Sequence, residues 1–311
     1  DPSAGSGTLL MNLAHKIGVN KCSIYSQDIS LKSSNLLRLN LVLNNLIHSI
    51  QNIVQGNTLL EPFHKENKKT MKFDFIVSNP PFKLDFSDYR NNLATKENSE
   101  RFWAGVPNIP KKAVDKMPIY LLFIQHILFT LSEKGKAAII VPTGFITAQT
   151  GIAFKIRKFL IDNKILKGVI AMPSDIFATT GAHVSIIFIE KNTSLENVIL
   201  MDASGLGQQI KEDNNQKTVL SEKDENLIIK TFKQKKQTDD FSVLVKFDQI
   251  TKKSYSLNPG LYFENKIIFE NITTKEFKQR VDSNKNELTK LFKEAKNVEE
   301  DLLNSLKKLK L

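Results

Sequence analysis

The sequence predicts an α/β fold with a mostly parallel central sheet, and three observations support that class. Strand-like and helix-like segments alternate over the first two-thirds of the chain, as they do where helices connect parallel strands. Residues 73–77, which read FDFIV, indicate a strand buried on both faces. Of the 311 residues 41% are hydrophobic, enough for the core of one large domain or of one domain with an appendage.

The elements follow in order along the chain. The strand-like segments are 22–28, 49–57, 73–77, 136–142, 166–173, 183–191 and 197–204. A helix is predicted between the first two strands by apolar residues at helical spacing, namely Leu36, Leu39, Leu43, Leu46 and Ile50. Further helices are predicted at 119–131 and 153–163. Residues 83–116 have no convincing period and are too long for a simple connection, so we expect a functional lid or a disordered loop there.

The last third of the chain differs from the rest. Residues 205–240 are polar and charged, which indicates a linker or peripheral segment, and 254–263 form an aromatic turn. The tail is predicted to be helical with an apolar seam, formed by Leu288, Leu291, Ala295, Val298, Leu302 and Leu309. We therefore expect three regions: 1–204, a peripheral segment 205–263, and a partner-binding helical tail 264–311.

Composition excludes several classes of protein. No apolar run reaches membrane-spanning length, and the N-terminus does not read as a signal peptide. The single cysteine, Cys22, excludes a disulfide framework and a cysteine metal cluster, which fits a reducing, cytoplasmic setting. The five histidines lack ligand spacing, so we expect no metal. The net charge of +11 favours a polyanionic partner, although a bias toward lysine and asparagine produces the same value.

The strand at 73–77 is followed by Ser78-Asn79-Pro80-Pro81-Phe82. The two prolines exclude both a helix and further strand pairing, because each lacks an N–H donor and has a fixed φ. A stiff loop is therefore expected at the carboxyl end of this strand. In open α/β sheets that edge is where ligands bind.

Polar residues also follow the earlier strands. The chain opens DPSAGSG, where Gly5 and Gly7 permit close approach of the backbone to a ligand, or form an ordinary glycine turn. An acid ahead of this turn suits a ligand with an ammonium and a sulfonium better than a pyrophosphate. Asp28 is suited to accept both hydroxyls of a ribose, or to cap a helix. Asn57 is suited to bind an adenine edge, or to serve as a turn residue.

This combination resembles the Class I S-adenosylmethionine-dependent methyltransferases, which have a Rossmann-like, mostly parallel sheet, and among them the amino-methylating DNA enzymes. The resemblance implies that the methionine end of S-adenosylmethionine is held by Asp1, Gly5, Ser6 and Gly7. It implies that Asp28 holds the ribose and Asn57 the adenine, although the family more often has an acid at the last position. It makes Asn79, Pro80, Pro81 and Phe82 the catalytic tetrapeptide.

The tetrapeptide suits methylation of an exocyclic amine without an ionised base. The adenine N6 lone pair is delocalised into the ring. The amide oxygen of Asn79 and the carbonyl of Pro80 can accept its two hydrogens and so localise that lone pair, while the prolines keep both acceptors rigid. Phe82 would stack on an adenine flipped out of the duplex.

Downstream blocks, among them "KIRKFLIDNKILKGVIAMPSDIF" and "SLNPGLY", resemble the methylation subunit of type I restriction–modification systems over most of residues 1–263. The resemblance implies methylation of adenine N6 in double-stranded DNA. It also implies a complex with a specificity subunit, against which the helical tail packs, and with a restriction subunit.

In the resembling fold the residue equivalent to Asp1 ends a first, central strand, preceded by a helical domain. We therefore expect 1–204 to be a catalytic domain without that strand and that helical domain, in a fragment, a truncated product or half of a split protein. Two alternatives stay open: an inactive assembly module, and a protein-glutamine or RNA N-methyltransferase. We expect Lys155, Arg157 and Lys158 to lie on the polar face of a helix, and Trp103 to belong to a mobile lid or to pin its loop.

Overall fold

A computed structural model describes residues 1–177, 183–191, 195–212, 215–264 and 273–308. The chain divides into two compact units, Asp1–Phe263 and Glu264–Leu311. No helix in the described ranges is both long enough and apolar enough to cross a membrane. The predicted seam residue Leu309 lies outside the described residues.

The first unit contains all the strands described. They are β1 (Ser26–Asp28), β2 (Ile53–Gln55), β3 (Lys65–Glu66), β4 (Lys69–Thr70), β5 (Phe73–Ser78), β6 (Leu131–Pro142), β7 (Leu166–Ala171), β8 (Val184–Glu190), β9 (Asn197–Asp202), β10 (Gln208–Glu212), β11 (Asn215–Val219) and β12 (Ser242–Lys246). The helices are α1 (Thr8–Ile17), α2 (Leu31–Leu43), α3 (Arg90–Leu93), α4 (Tyr120–Thr130), α5 (Gly144–Thr147), α6 (Gly151–Asp162), α7 (Glu222–Gln234), α8 (Phe247–Lys252) and, in the second unit, α9 (Thr274–Lys308).

Six strands form the main sheet, in the order β12-β9-β7-β8-β6-β5. Strands β5, β6, β7 and β9 run in one direction, because the pairs β5–β6 and β7–β9 are parallel and β8 is antiparallel to both β6 and β7. At one edge β12 runs antiparallel to β9. The predicted α/β class with a mostly parallel sheet is confirmed.

Both faces of the main sheet are covered, so its strands are apolar on both sides. Along β9, Val198 and Leu200 pack with the core residues of α4, α6 and α8. Their neighbours Ile199 and Met201 point to the opposite face, where they pack with Ile228 of α7. This alternation is the two-residue period of a strand between two helical layers.

The segment from 205 to 263 is more integrated than its polar composition predicts. It contains the β10–β11 hairpin, helix α7 and the edge strand β12. Phe232 of α7 lies with its ring centroid 4.5 Å from that of Phe188 in β8. The segment therefore completes one edge and one face of the main sheet rather than standing outside it.

Strands β1 and β2 pair in parallel but form a sheet of their own. Only three residues of each strand pair, so the strand expected over 22–28 is shorter, and much of the segment expected at 49–57 is a 3₁₀ helix, Ile47–Asn52. A groove of about 310 Å³ lies between the segment that leads into β1 and the first residues of β5, and Leu10, Tyr25 and Phe75 are among its lining residues.

Asp1 lies at one end of this groove, beside β1. Its backbone nitrogen donates to the Tyr25 carbonyl at 3.0 Å, and the Gln27 amide donates to the Asp1 carbonyl at 3.4 Å. A residue that donates to one residue of the neighbouring strand and accepts from the residue two positions further on has the hydrogen bonds of a parallel β-ladder. The backbone at Asp1 therefore runs between β1 and β5, where the resemblance expects the end of a central strand.

Candidate active site

The glycine turn at residues 4–7 leads directly into α1. Gly5 and Gly7 have φ of 55° and 84°, in the left-handed region that favours glycine. A Cβ on Gly7 would lie 2.1 Å from Cδ1 of Leu37, a fully buried side chain of α2. Ser6 is exposed, and its carbonyl accepts from Nδ2 of Asn40 at 2.8 Å. Glycine is therefore favoured at both positions by the backbone conformation, and at Gly7 also by the close packing of Leu37.

Asp28 ends β1 and holds this turn in place. One carboxylate oxygen accepts from the Gly5 amide at 3.0 Å, and the other accepts from the Ser30 amide at 2.8 Å. Asp1 forms a similar local contact, because its Oδ1 accepts from the Ser3 amide at 2.9 Å. Each Asp28 oxygen retains a lone pair for a further donor. The structure thus brings Asp28 and the glycine turn together.

The glycine turn is also joined to the predicted tetrapeptide. The hydroxyls of Ser3 and Ser78 lie 2.9 Å apart, and Ser78 is the buried last residue of β5. Asn79 follows with an exposed side chain that has no hydrogen-bond partner among the residues described, while Pro80 is buried. The amide of Asn79 is therefore free to bind a ligand at the carboxyl end of β5.

Phe82 is half-buried and forms the end of an aromatic stack. Its ring centroid lies 6.3 Å from that of Tyr120 at an interplanar angle of 73°. Tyr120 in turn lies 6.2 Å from Phe145 in a T-shaped arrangement. Edge-to-face contacts of this kind stabilise ring orientation. Phe82 is therefore held against the main core, with part of its ring left accessible.

Asn57 lies two residues after β2, in a turn. Its Oδ1 accepts from the amides of Leu59 and Leu60, at 3.0 and 3.3 Å, so the amide oxygen has a structural partner, as in the turn alternative. Burial raises the pKa of the nearby Tyr89 hydroxyl, and the Asn57 side chain opposes part of that rise. A cavity of about 160 Å³ lies here, lined by Pro2, Ser3, Asp28, Ile29, Gly56, Asn57, Thr58, Leu59, Pro81, Leu84, Tyr89, Ile119 and Phe123.

The cavity brings together only some of the predicted site residues. Asp28, Asn57 and Pro81 line it directly. The remaining predicted residues are not among its lining residues, but they are linked to it by the Gly5–Asp28 and Ser3–Ser78 contacts; they are Asp1, Gly5, Ser6, Gly7, Asn79, Pro80 and Phe82. The predicted site residues therefore lie side by side at the carboxyl ends of β1, β2 and β5, although these strands belong to two sheets.

The long loop after the tetrapeptide is not a disordered segment. Gln125 of α4 accepts from the Ala104 amide at 2.8 Å and donates to the Gly105 carbonyl at 3.0 Å. Trp103 stacks on Phe159 of α6 with ring centroids 4.6 Å apart, so it pins the loop, as one of the two alternatives predicted. The loop also has its own small core, formed with Leu59 and α4; its members are Leu59, Phe86, Leu93, Phe102, Met117, Ile119, Leu122 and Phe123.

Two buried arginines were not predicted. The expectation that Arg157 lies on a polar helix face is wrong, because it is fully buried and donates to the carbonyls of Phe145, Ala148 and Tyr255. Lys155 and Lys158 are exposed, as expected. Arg101, in the long loop, is also buried. Residue spacing contains no signal for either burial, because most of the acceptors are ordinary backbone carbonyls, which every residue has.

Comparisons with known proteins identify the fold. The type I methyltransferase subunit from Streptococcus thermophilus superposes with a TM-score of 0.70 and 24% identity, over 85% of this chain and 53% of that one. A chain from a study of type I R-M complex assembly gives a TM-score of 0.63 and 16% identity, over 97% and 61%. At these identities the likeness supports the fold alone.

Two curated relatives are type I restriction enzyme methylase subunits. MpnII from Mycoplasma pneumoniae is 29% identical over 91% of this chain and 51% of its own length. MjaIX from Methanocaldococcus jannaschii is 27% identical over 99% and 54%. The chain spans about half the length of these relatives. The family model described as N-6 DNA Methylase matches residues 1–271, and the chain accordingly belongs to that family.

Proposed function

We propose that this chain is the catalytic part of a type I restriction–modification methylation subunit, which transfers a methyl group from S-adenosylmethionine to adenine N6 in specific DNA sequences. The observation that carries the proposal is the 2.9 Å contact between the hydroxyls of Ser3 and Ser78. It ties the turn proposed to bind the cofactor to the strand that presents Asn79, so donor and acceptor sites share one edge of the fold.

The residues along this edge fit S-adenosylmethionine. The turn of Gly5, Ser6 and Gly7 would hold the methionine end, with Asp1 beside it, while the Gly5 amide and the Ser6 carbonyl stay bound to Asp28 and Asn40. Asp28 has lone pairs for the two ribose hydroxyls. Asn57 has an NH₂ group for an adenine acceptor, and the apolar walls of its cavity suit the flat ring. When bound, this cofactor supplies an electrophilic methyl group on a sulfonium.

The tetrapeptide then serves as the acceptor side of the site. The unpartnered amide oxygen of Asn79 and the carbonyl of Pro80 accept the two hydrogens of the N6 amine and localise its lone pair. Pro80 and Pro81 keep these acceptors rigid, so little reorganisation is needed in the transition state. Phe82, supported from behind by Tyr120, stacks on the flipped adenine.

The proposed partners are double-stranded DNA, a type I specificity subunit and a type I restriction subunit. The net charge of +11 suits a polyanion. Helix α9 suits a helical partner, because its large apolar residues are exposed, with Leu288 at 53% and Val298 at 66%. The same exposed helix is what an inactive assembly module would also present, so activity has to be measured directly.

The test is transfer of a radiolabelled methyl group to unmethylated duplex DNA, with the specificity subunit present and the product bases identified. We expect N6-methyladenine, and a loss of at least about 100-fold in rate for Asn79→Ala with cofactor affinity unchanged, as for removal of one preorganised polar group. Cofactor binding without transfer would favour the assembly module, and transfer to glutamine or RNA instead of DNA would favour the other alternative.

A further inference from the structure

Arg101 and Arg157 are buried without a carboxylate within ion-pair distance among the residues described. Arg101 is 5% exposed and Arg157 is 0% exposed. A buried charge is costly unless hydrogen bonds compensate it. Each arginine therefore has to be explained by what its guanidinium holds in place.

Arg101 reaches from the long loop to the turn that follows β2. Its Nη1 donates to the Thr58 carbonyl at 3.5 Å, and its Nη2 donates to the Leu59 carbonyl and to Oδ1 of Asn98, the last at 3.0 Å. Thr58 and Leu59 directly follow Asn57, and all three line the cavity. One guanidinium therefore fixes the backbone of that wall, without being among the cavity-lining residues itself.

The turn held by Arg101 is connected to the rest of the edge. The Thr58 hydroxyl lies 2.8 Å from the Pro2 carbonyl and 3.2 Å from the Gln27 carbonyl, both potential acceptors. Pro2 precedes the glycine turn, and Gln27 precedes Asp28. A shift of the turn would therefore move the cavity wall relative to both elements.

The charge of Arg101 is retained at neutral pH. Burial lowers its pKa to about 10, which is still well above 7. A charged guanidinium makes stronger hydrogen bonds to carbonyls than a neutral amide does, and its planar fork fixes two neighbouring carbonyls at once. A glutamine at this position reproduces neither property.

We infer that Arg101 is a positioning residue that holds the Asn57–Leu59 turn in the geometry that binds the adenine end of the cofactor. The inference rests on the proposed function and deepens it, because it assigns part of the cofactor affinity to a side chain outside the cavity. It couples the loop that follows the catalytic tetrapeptide to the cofactor pocket.

The experiment is calorimetric titration of the 311-residue chain with S-adenosylmethionine and, separately, with adenosine. For Arg101→Gln we expect Kd to rise at least tenfold, by a similar factor for both ligands, because adenosine reports on the adenine and ribose end alone. Asn98→Ala, which removes one contact of the same guanidinium near the surface, should raise Kd about threefold. Arg101→Lys keeps the charge without the fork and should lie between the wild type and Arg101→Gln.

The matched control is Arg157→Gln, which removes a second fully buried arginine that donates to three carbonyls remote from this turn. It should lower Tm to a comparable extent and leave Kd within twofold. Equal Kd values for the wild type and for both Arg101→Gln and Asn98→Ala would overturn the inference. Absence of binding by the wild type would instead overturn the proposed cofactor site, and the inference with it. If Arg101→Gln does not fold, Asn98→Ala decides between these results.

Discussion

At the scale of single residues, the two glycines of the turn both have a φ in the left-handed region, but their surroundings differ. Gly7 packs against Leu37, and a Cβ there would overlap Cδ1, whereas a Cβ on Gly5 meets nothing within 4 Å. Both substitutions by alanine carry the strain of a left-handed φ, about 1–2 kcal/mol. Only the substitution at Gly7 adds overpacking.

We therefore expect Gly7→Ala to lower the free energy of unfolding by about 2–4 kcal/mol, and Gly5→Ala by about 1–2 kcal/mol. Urea denaturation of the two variants in parallel measures the difference, and Gly5→Ala is the matched control. Equal losses in the two variants would mean that Leu37 moves aside and that α1 and α2 are not tightly packed at this point.

Residues that stand in a local sequence pattern could be predicted, whereas the buried arginine proposed to support the site could not. Asp28 and Asn79 were predicted because they stand at strand ends, which can be inferred from neighbouring residues, and Gly5 and Gly7 because they form a glycine turn ahead of a helix. Arg101 was not, because its acceptors at 58 and 59 are distant in the chain and are ordinary backbone carbonyls. The roles of all these side chains in binding and catalysis stay predictions.

At the scale of elements, α4 lies so deep that almost every side chain in it is buried. It includes His126, whose Nδ1 has no hydrogen-bond partner among the described residues. Burial, with a smaller contribution from the charge of Arg101, lowers the pKa of His126 to about 3. In the unfolded chain its pKa is near 6.5, so only the unfolded state takes up a proton between these two values.

Acidification below about pH 6.5 therefore lowers the free energy of unfolding, by up to about 1.4 kcal/mol per pH unit from His126 alone, and the contribution of His126 fades as the pH rises above 7. Urea unfolding at pH 7.5, 6.0 and 5.0 measures the slope, which should be shallower in His126→Phe. Burial also lowers the pKa of His64, which makes the free energy of unfolding fall with acidification in both the wild type and His126→Phe. A slope unchanged in His126→Phe would contradict the argument.

Helix α2 shows that the spacing of apolar residues can predict a helix without predicting which of its faces is buried. The helix predicted from Leu36, Leu39 and Leu43 is present, but these three side chains are exposed, at 44%, 53% and 70%. The buried stripe contains Leu37 and Leu41 instead. Apolar residues occur on both sides of this helix, so spacing alone predicts the helix but not the face that packs.

At the scale of the whole molecule, the chain contains a folded unit and a separate helical unit, and their chemistry differs. The proposed reaction involves only residues of Asp1–Phe263, whereas α9 has an exposed apolar stripe, to which a partner is proposed to bind. The helical tail was predicted from its heptad-like spacing, a local signal. The integration of 205–263 was not predicted, because a polar hairpin and an amphipathic helix give no sign of the sheet edge that they complete.

Substitutions on α9 should therefore separate assembly from cofactor binding. Leu288→Glu together with Val298→Glu places charge on the apolar stripe and should abolish co-purification with the specificity subunit, while the Kd for S-adenosylmethionine stays within twofold. Lys296→Glu, on the same helix but off the stripe, should retain the partner. Association that survives the double substitution would show that the partner binds elsewhere.

The groove beside β5 should affect how fast the backbone amides of this strand exchange with solvent. Successive amides of a parallel strand point alternately to its two neighbours, and in the described structure β5 pairs with β6 on one side only. Every second amide over 73–78 should therefore exchange with deuterium far faster than those of β7 and β8, which are paired on both sides. Uniform protection along β5 would contradict this. Because β5 runs directly into Asn79, the strand that presents the proposed catalytic amide is held in the main sheet by β6 alone, and its rigidity depends on that pairing.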